Sequence, residues 1–492
     1  MRMGTQFRFC CRFPLATPFF TVALVTIFLI LSASQSANAL PAFARKYGLR
    51  CSACHESWPM LNYFGQKFKD NGYQLMNDRD APIWQNPSYW PVTFRITPIW
   101  HRVSTGKVQV DSYSSVGGVS TVTGQAVQRV TSNGFDVSGL DFHTGGTLEK
   151  NFSFYVLPSS NNSASFHFET VMARLDNLFG TPWLNIKLGK FELDNLLSEK
   201  RILTLTGNGG IYQNYHFIPQ GDGNIFGQIG DNQFGVEVMG HSNNDRTRYS
   251  AALLSSNNGQ VGLSYGNAYT GFFTFSQAFD TGKMGVDRIG GYAMVGLAPT
   301  TWLTQNNGTT VFAGANGTGP SAIGNKSFNR EGFVGQFYFG PHFDLQVVTQ
   351  HGWDNAWFGQ GYGDFIDGVA TLNNTTGTTL PTGSRAPTWN GVLFEPHYVY
   401  SPQLIFIGRY ETIRMSQQAN GPGSANPSAS NFGNISTYTI GYRYNPFMTS
   451  RAGFAWHNEY NWLHQDGTGA TLGLGTVNIN TSELLLGFDF DF

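Results

Sequence analysis

The sequence predicts a mainly β chain: a sixteen-stranded antiparallel barrel of the outer-membrane type, preceded by a small α-helical domain. Three observations predict it. Beyond the N-terminal leader, no apolar run approaches the roughly 20 residues that a transmembrane helix needs. The composition is rich in Gly (59 residues) and in aromatics (15 %), with only 12 % charged residues, about half of the roughly 25 % usual in soluble domains. From Val92 to Phe492, short runs of alternating apolar and polar residues follow one another between clusters of turn residues, the period-2 pattern of strands with two different faces.

The first 39 residues read as a signal peptide. Arg2, Arg8 and Arg12 make a basic start, Phe19 to Leu31 an apolar centre, and Ala37-Asn38-Ala39 a small-residue cleavage site. Cys10 and Cys11 leave with it, so two of the four cysteines remain in the mature chain. The formal net charge is −1, which gives no argument for nucleic acid as a partner, and none is expected.

Residues 40–80 form the small front domain. It contains Cys51-Ser52-Ala53-Cys54-His55, a C-x-x-C-H, the attachment sequence for one c-type haem. Two thiols at this spacing add to the two haem vinyl groups, and His55 follows as the proximal ligand of the iron. The domain is therefore a monohaem cytochrome c domain, and export suits the chemistry because bacteria attach this haem outside the cytoplasm. Pro41 suits a first helical position and Gly48 the residue just past a helix end. Phe43 and Tyr47 share a face. A second helix is expected after the motif, capped by Ser57, with Leu61, Phe64 and Phe68 as an apolar stripe facing the haem and Asn71-Gly72 as its end. Met76, beyond that turn, is the first choice for the distal iron ligand. His101 and Met60 are the alternatives. About forty residues is near the lower limit for an independent fold, so docking on the large domain is expected. Residues 81–91, punctuated by proline, read as a linker.

Residues 92–492 then carry sixteen candidate strands whose connections alternate long and short. The long ones include 103–138, 193–231, 298–332 and 352–390. The short ones include Glu149-Lys150-Asn151, Gly340-Pro341-His342 and Ser401-Pro402-Gln403. Long loops on the outer side and short turns on the periplasmic side are the arrangement of outer-membrane barrels, and an even strand number returns both barrel ends to the turn side. In the last strand Leu486, Phe488, Phe490 and terminal Phe492 fall on one face, Asp489 and Asp491 on the other. The same division sets Phe94, Ile96, Pro98 and Trp100 against Arg95, Thr97 and His101. It also sets Val392, Phe394 and Tyr398 against Glu395 and His397, and Phe454, Trp456 and Trp462 against His457 and Glu459. Glu237, Arg409 and Glu411 belong to the polar face. Such polar residues suit a water-facing lumen, and some of them could hold the front domain or a metal cation.

Phe43-Ala44-Arg45-Lys46-Tyr47-Gly48, Cys51-Ser52-Ala53-Cys54-His55, and the run Pro59, Leu61, Asn62, Phe64, Gly65, Phe68, Asn71, Gly72 and Tyr73 resemble the fused outer-membrane monohaem cytochrome c–porins of iron-oxidising bacteria. The resemblance is specific over residues 41–76 and architectural over the barrel. It implies an iron(II):cytochrome c reductase type of activity in the outer membrane. Extracellular iron(II) would be oxidised at the cell surface and the electron passed through the haem to a periplasmic c-type cytochrome or blue copper protein. Cys51, Cys54 and His55 carry over as haem attachment and proximal ligand. The same architecture also admits electron export to an extracellular acceptor, or a diffusion porin with a haem-containing plug.

Overall fold

The computed structural model describes residues 42–57, 60–75, 91–116, 119–160, 166–197, 229–230, 232–256, 268–300, 303–306, 309–312, 324–355, 364–366, 369–371, 386, 388–415, 434–449, 452–466 and 478–492. The front segment begins with helix α1 (Ala42–Tyr47) and a 3-10 turn at Cys51–Ala53. A two-stranded hairpin, β1 (His55–Ser57) and β2 (Met60–Leu61), and helix α2 (Tyr63–Asp70) follow. Sixteen of the remaining strands close into one antiparallel barrel. They are β3 (Val92–Val116), β4 (Val119–Glu149), β5 (Phe152–Ser160), β6 (His167–Leu175), β7 (Asn185–Phe191), β8 (Gln233–His241), β9 (Thr247–Ser255), β10 (Tyr269–Asp280) and β11 (Val286–Thr300). After a small pair, β12 (Leu303–Asn306) and β13 (Thr309–Phe312), come β14 (Gly324–Tyr338) and β15 (Phe343–Asp354). A second small pair, β16 (Asp364–Ile366) and β17 (Val369–Thr371), precedes β18 (Thr388–Ser401), β19 (Leu404–Met415), β20 (Ile435–Met448), β21 (Gly453–Gln465) and β22 (Ile479–Asp491).

Each barrel strand pairs with its sequence neighbours, and β22 closes the ring on β3. Phe94 and Phe492 exchange backbone hydrogen bonds at 2.9 and 3.0 Å where the two ends meet. Closure leaves the ring itself without an edge strand. Each of the sixteen expected strands has its counterpart here.

Two expected long loops are corrected. The stretch 298–332 holds the end of β11, the β12–β13 pair and the first part of β14. Residues 103–138 are mostly strand: β3 and β4 run on as a ladder to Val116↔Val119. The run from Val119 to Val130 carries Val and Thr at close spacing, which favours extended backbone over the loop that its Gly and Ser suggested.

The period-2 division decides which side faces what. Glu237, Glu395, Arg409, Glu411, His457 and Asp489 are all buried on the inner face. Val392, Phe394, Tyr398 and Trp456 lie on the outer one, where Phe273, Phe333 and Ile440 are 53 %, 70 % and 67 % exposed. Outward aromatics gather near the short turns: Phe339 beside Phe343, Phe447 beside Phe454, and Phe94 stacked on Phe492 with ring centroids 5.6, 5.8 and 5.3 Å apart.

Candidate functional site

The front segment touches strands on all sides of the closed ring, which is possible only from within. The backbone amide of Ala42 donates to Thr93 Oγ1 of β3 at 3.1 Å, and Lys46 Nζ to Thr147 Oγ1 of β4 at 3.1 Å. Arg174 of β6 and Arg248 of β9 reach the C-terminus of α2. Tyr338 of β14 meets Glu56, Gln346 of β15 meets Met60, and Asn445 of β20 meets Ser57. These wall residues lie close to the short turns, so the segment sits at the turn end of the barrel.

Local structure explains how the motif is presented. Gly48, with φ of 65°, ends α1, and Leu49 N–H donates to Ala44 O at 3.0 Å, a left-handed helix stop. The chain then tightens into the 3-10 turn, with Cys54 N–H donating to Cys51 O at 3.0 Å. No disulfide joins Cys51 and Cys54. Cys51 Sγ–H donates to Thr449 O at 3.4 Å in the β20–β21 turn. Burial pushes the Cys54 thiol up to about 11, so it stays a neutral thiol at neutral pH. His55 opens β1 and pairs with Leu61.

The cap of α2 is corrected. Ser57 ends β1, is fully buried and accepts from Asn445 Nδ2 at 3.1 Å. Asn62 caps the helix instead: its Oδ1 accepts from Gly65 N–H at 2.9 Å. Its Nδ2 donates to Ala53 O at 3.1 Å and Ser52 O at 3.3 Å. Asn62 thus pins α2 onto the Cys51–Cys54 turn, a role hidden in sequence because capping needs only one short polar residue and Ser57 also qualified. Gly65 completes the joint, since a Cβ there would stand 2.1 Å from Cys54 O.

The apolar side of the segment splits in two. Phe43, Tyr47, Phe68 and Tyr73 pack together, with Phe43 stacked on Tyr73 at 4.7 Å and Tyr47 edge-on to Phe68 at 5.5 Å. Tyr73 continues onto Tyr155 of the wall at 6.1 Å. The expected stripe does not hold beyond Phe68: Leu61 belongs to β2, and Phe64 is 40 % exposed beside Tyr63 at 49 %. Those two rings open α2 next to Cys54.

The candidate distal ligands are not brought together. Met60 is 2 % exposed, packed with Ile405 and Ile407, and its Sδ accepts from Gln346 Nε2 at 3.2 Å. His101 is in β3, with Nε2 engaged by the Glu483 carboxylate of β22. Met76 lies outside the described residues.

Two polar groups assemble across strands, the first bringing the expected inner-face His397 and Glu395 together with Asp344, which the sequence did not single out. His397 on β18 lies between Asp344 and Glu395, at 2.9 and 2.8 Å. Burial, then the nearby Asp344 charge, pushes Glu56 up to about 7, while the Tyr338 hydroxyl, donating at 2.9 Å, and His397 oppose the rise. The second group surrounds Asp70 at the end of α2. Among the described residues, no cluster of three or more His, Cys, Asp or Glu side chains is arranged to hold a metal ion.

The donor set fits a c-type haem. Two half-buried thiols three residues apart offer thioether bonds, and His55 supplies an imidazole.

No protein-family model matches the chain, and no curated protein does. Among solved structures, the chain is similar to an anion-selective porin from Comamonas acidovorans at 11 % identity, covering 82 % of this chain and 99 % of that one, with a TM-score of 0.45. OprB from Pseudomonas putida gives 11 % identity over 81 % and 94 % with a TM-score of 0.44. OmpT of Vibrio cholerae gives 9 % over 82 % and 99 % with a TM-score of 0.42. These likenesses are distant, and the chain's own strand pairing is what establishes it as a closed, mainly β, sixteen-stranded antiparallel barrel.

Proposed function

We propose that this chain is a porin-type barrel of the outer membrane whose turn end carries a monohaem plug, and that it oxidises extracellular iron(II) and delivers the electron to a periplasmic c-type cytochrome or blue copper protein. The observation that carries the reading is the C-x-x-C-H segment held inside a closed ring, at the end where the short turns and both barrel termini meet. The outward apolar band and the aromatics near the turns support placement in lipid. Short turns and barrel termini face the periplasm in such barrels, so a periplasmic carrier would approach on that side.

Cys51 and Cys54 would hold the haem by thioether bonds and His55 would ligate its iron, with Met76 as the proposed distal ligand. Bound there, a haem supplies one-electron chemistry, and a Met/His pair raises its potential relative to bis-His. The chain's own part is positional. Asn62 and Gly65 fix α2 against the motif, and the wall contacts fix the motif in the lumen. Iron(II) loses one electron with no bond made within the substrate.

The test is a redox titration of the purified protein with iron(II), with Met76→Ala in parallel. Rapid haem reduction and a high potential are expected; a strongly negative potential would reverse the direction to electron export. A second reading, a diffusion porin with a haem-containing plug, is favoured by the charged inner wall. Large open conductance in planar bilayers without haem reduction by iron(II) would decide for it.

A further inference from the structure

Helix α2 ends inside a buried ring of charge that the haem motif does not require. Arg174 of β6 donates through Nη1 to Lys69 O at 2.8 Å and through Nη2 to Asp70 O at 2.9 Å. Nη2 also lies 2.7 Å from Asp176 Oδ1, and Ser153 Oγ donates to Asp176 Oδ2 at 2.6 Å. The Asp70 carboxylate, 3 % exposed, accepts from Gln66 Nε2 at 2.8 Å and stands 2.9 Å from Arg248 Nε of β9. Arg248 in turn meets Asp245 at 2.9 Å. Gly72, with φ of +72°, seats the chain so closely that a Cβ would fall 2.2 Å from Asp176 Oδ2.

The geometry points to Arg174 and Arg248 as positioning residues that clamp the front segment as a fixed part of the barrel, so that it is not a gate that withdraws from the lumen. The inference rests on the reading of the chain as a membrane channel with a plug, and deepens it. The last carbonyls of a helix lack intrahelical donors and carry partial negative charge. One guanidinium satisfies two of them in a forked geometry that a lysine cannot reproduce. Withdrawal would strip both carbonyl partners from Arg174 in the wall and would take Asp70 away from Arg248. The contacts on the far side, from Glu56, Met60 and Ser57, hold the other end.

The test compares full-length wild type, Asp70→Ala, Asp70→Glu and Arg174→Ala by planar-bilayer conductance and by limited proteolysis of the front segment. Barrel assembly is followed as heat-dependent gel mobility. Expected results are low conductance and protection in wild type, higher conductance and loss of protection in Asp70→Ala and Arg174→Ala, and recovery in Asp70→Glu. Wild-type conductance and protection in both alanine variants would overturn the clamp, as would large open conductance in wild type. If Arg174→Ala fails to assemble, Asp70→Ala, which leaves every strand untouched, decides alone. Haem reduction by iron(II) is read separately in the same samples. Its absence would count against electron transfer without touching the clamp.

Discussion

Gly65 illustrates how little room the motif has. Its missing side chain lets the first turn of α2 lie on the Cys54 carbonyl, and Gly65→Ala forces the two apart at about 1–3 kcal/mol, the usual cost of overpacking. On the proposed haem reading, reduced covalent haem content at unchanged barrel assembly is expected, measured as haem absorbance per folded protein. Asn62→Ala removes the cap of α2 and two further bonds to the motif, for at least about 1 kcal/mol from the cap alone. Faster proteolysis within residues 42–75 would show it. Glu56 gives a pH dependence in the haem-free protein. Its carboxyl titrates near 7 when folded against an ordinary value of 4.5. The folded state therefore holds a proton that the unfolded chain has released. The stability this contributes is fully present below 4.5 and is lost as pH rises to about 7. Glu56→Gln flattens the pH profile of front-segment protection across that window; an unchanged profile would remove Glu56 as its source.

Among the elements, the β3–β4 hairpin and α2 show where sequence reading succeeds and where it stops. Strand positions in the barrel were legible because alternation over eight or more residues is a strong signal, and side chains such as Glu395 and His397 fell on the expected face. The hairpin was not legible, because its Gly, Ser and Thr suit both a loop and an extended two-sided ladder. Its ladder continues past the rest of the barrel. Closing the chain between Thr105 and Val130 with a two-residue turn therefore leaves the other fifteen pairings of the ring intact. Unchanged heat-dependent mobility of the shortened protein is the expected result. In α2 the helix itself and its Asn71-Gly72 end were readable. The interposed β1–β2 hairpin was not, because its two- and three-residue strands are too short for any period to register. The C-x-x-C-H spacing of Cys51, Cys54 and His55 stands in the sequence itself, whereas Asp70 lies more than a hundred positions from Arg174, Asp176 and Arg248 and meets them only through closure of the ring.

For the whole molecule, the two faces of the wall carry opposite demands. Ile440, near the middle of β20 and 67 % exposed, faces outward. Ile440→Arg should cost about 2–4 kcal/mol if that point lies near the bilayer midplane, seen as lower assembly yield and a lower unfolding midpoint in lipid. Arginine is already tolerated on the inner face at Arg409 and Arg443, which pair with Thr439 at 2.8 Å and Asp489 at 3.0 Å. The front segment belongs to this inner economy. Its aromatic core joins Tyr47, Phe68 and Tyr73 to Phe191 and Leu193 at the barrel side, so segment and barrel share one apolar cluster.

By itself the sequence determined the number and order of the barrel strands and, in strands such as β3, β18, β21 and β22, which face turns inward. Both depend on residues close in the chain, where spacing and period alone decide the outcome. Tertiary structure decided that the front segment lies within the ring. It also decided that Asn62 and Gly65, in place of Ser57, seat α2 on the motif, and that Met60 turns to the wall. Two arginines from β6 and β9 hold the end of α2 for the same reason. The Met60 and arginine contacts depend on closing the barrel, which brings residues a hundred or more positions apart within hydrogen-bond reach, and no local pattern records that distance. The Asn62 and Gly65 contacts span only about ten residues but need the chain to fold back through the β1–β2 hairpin.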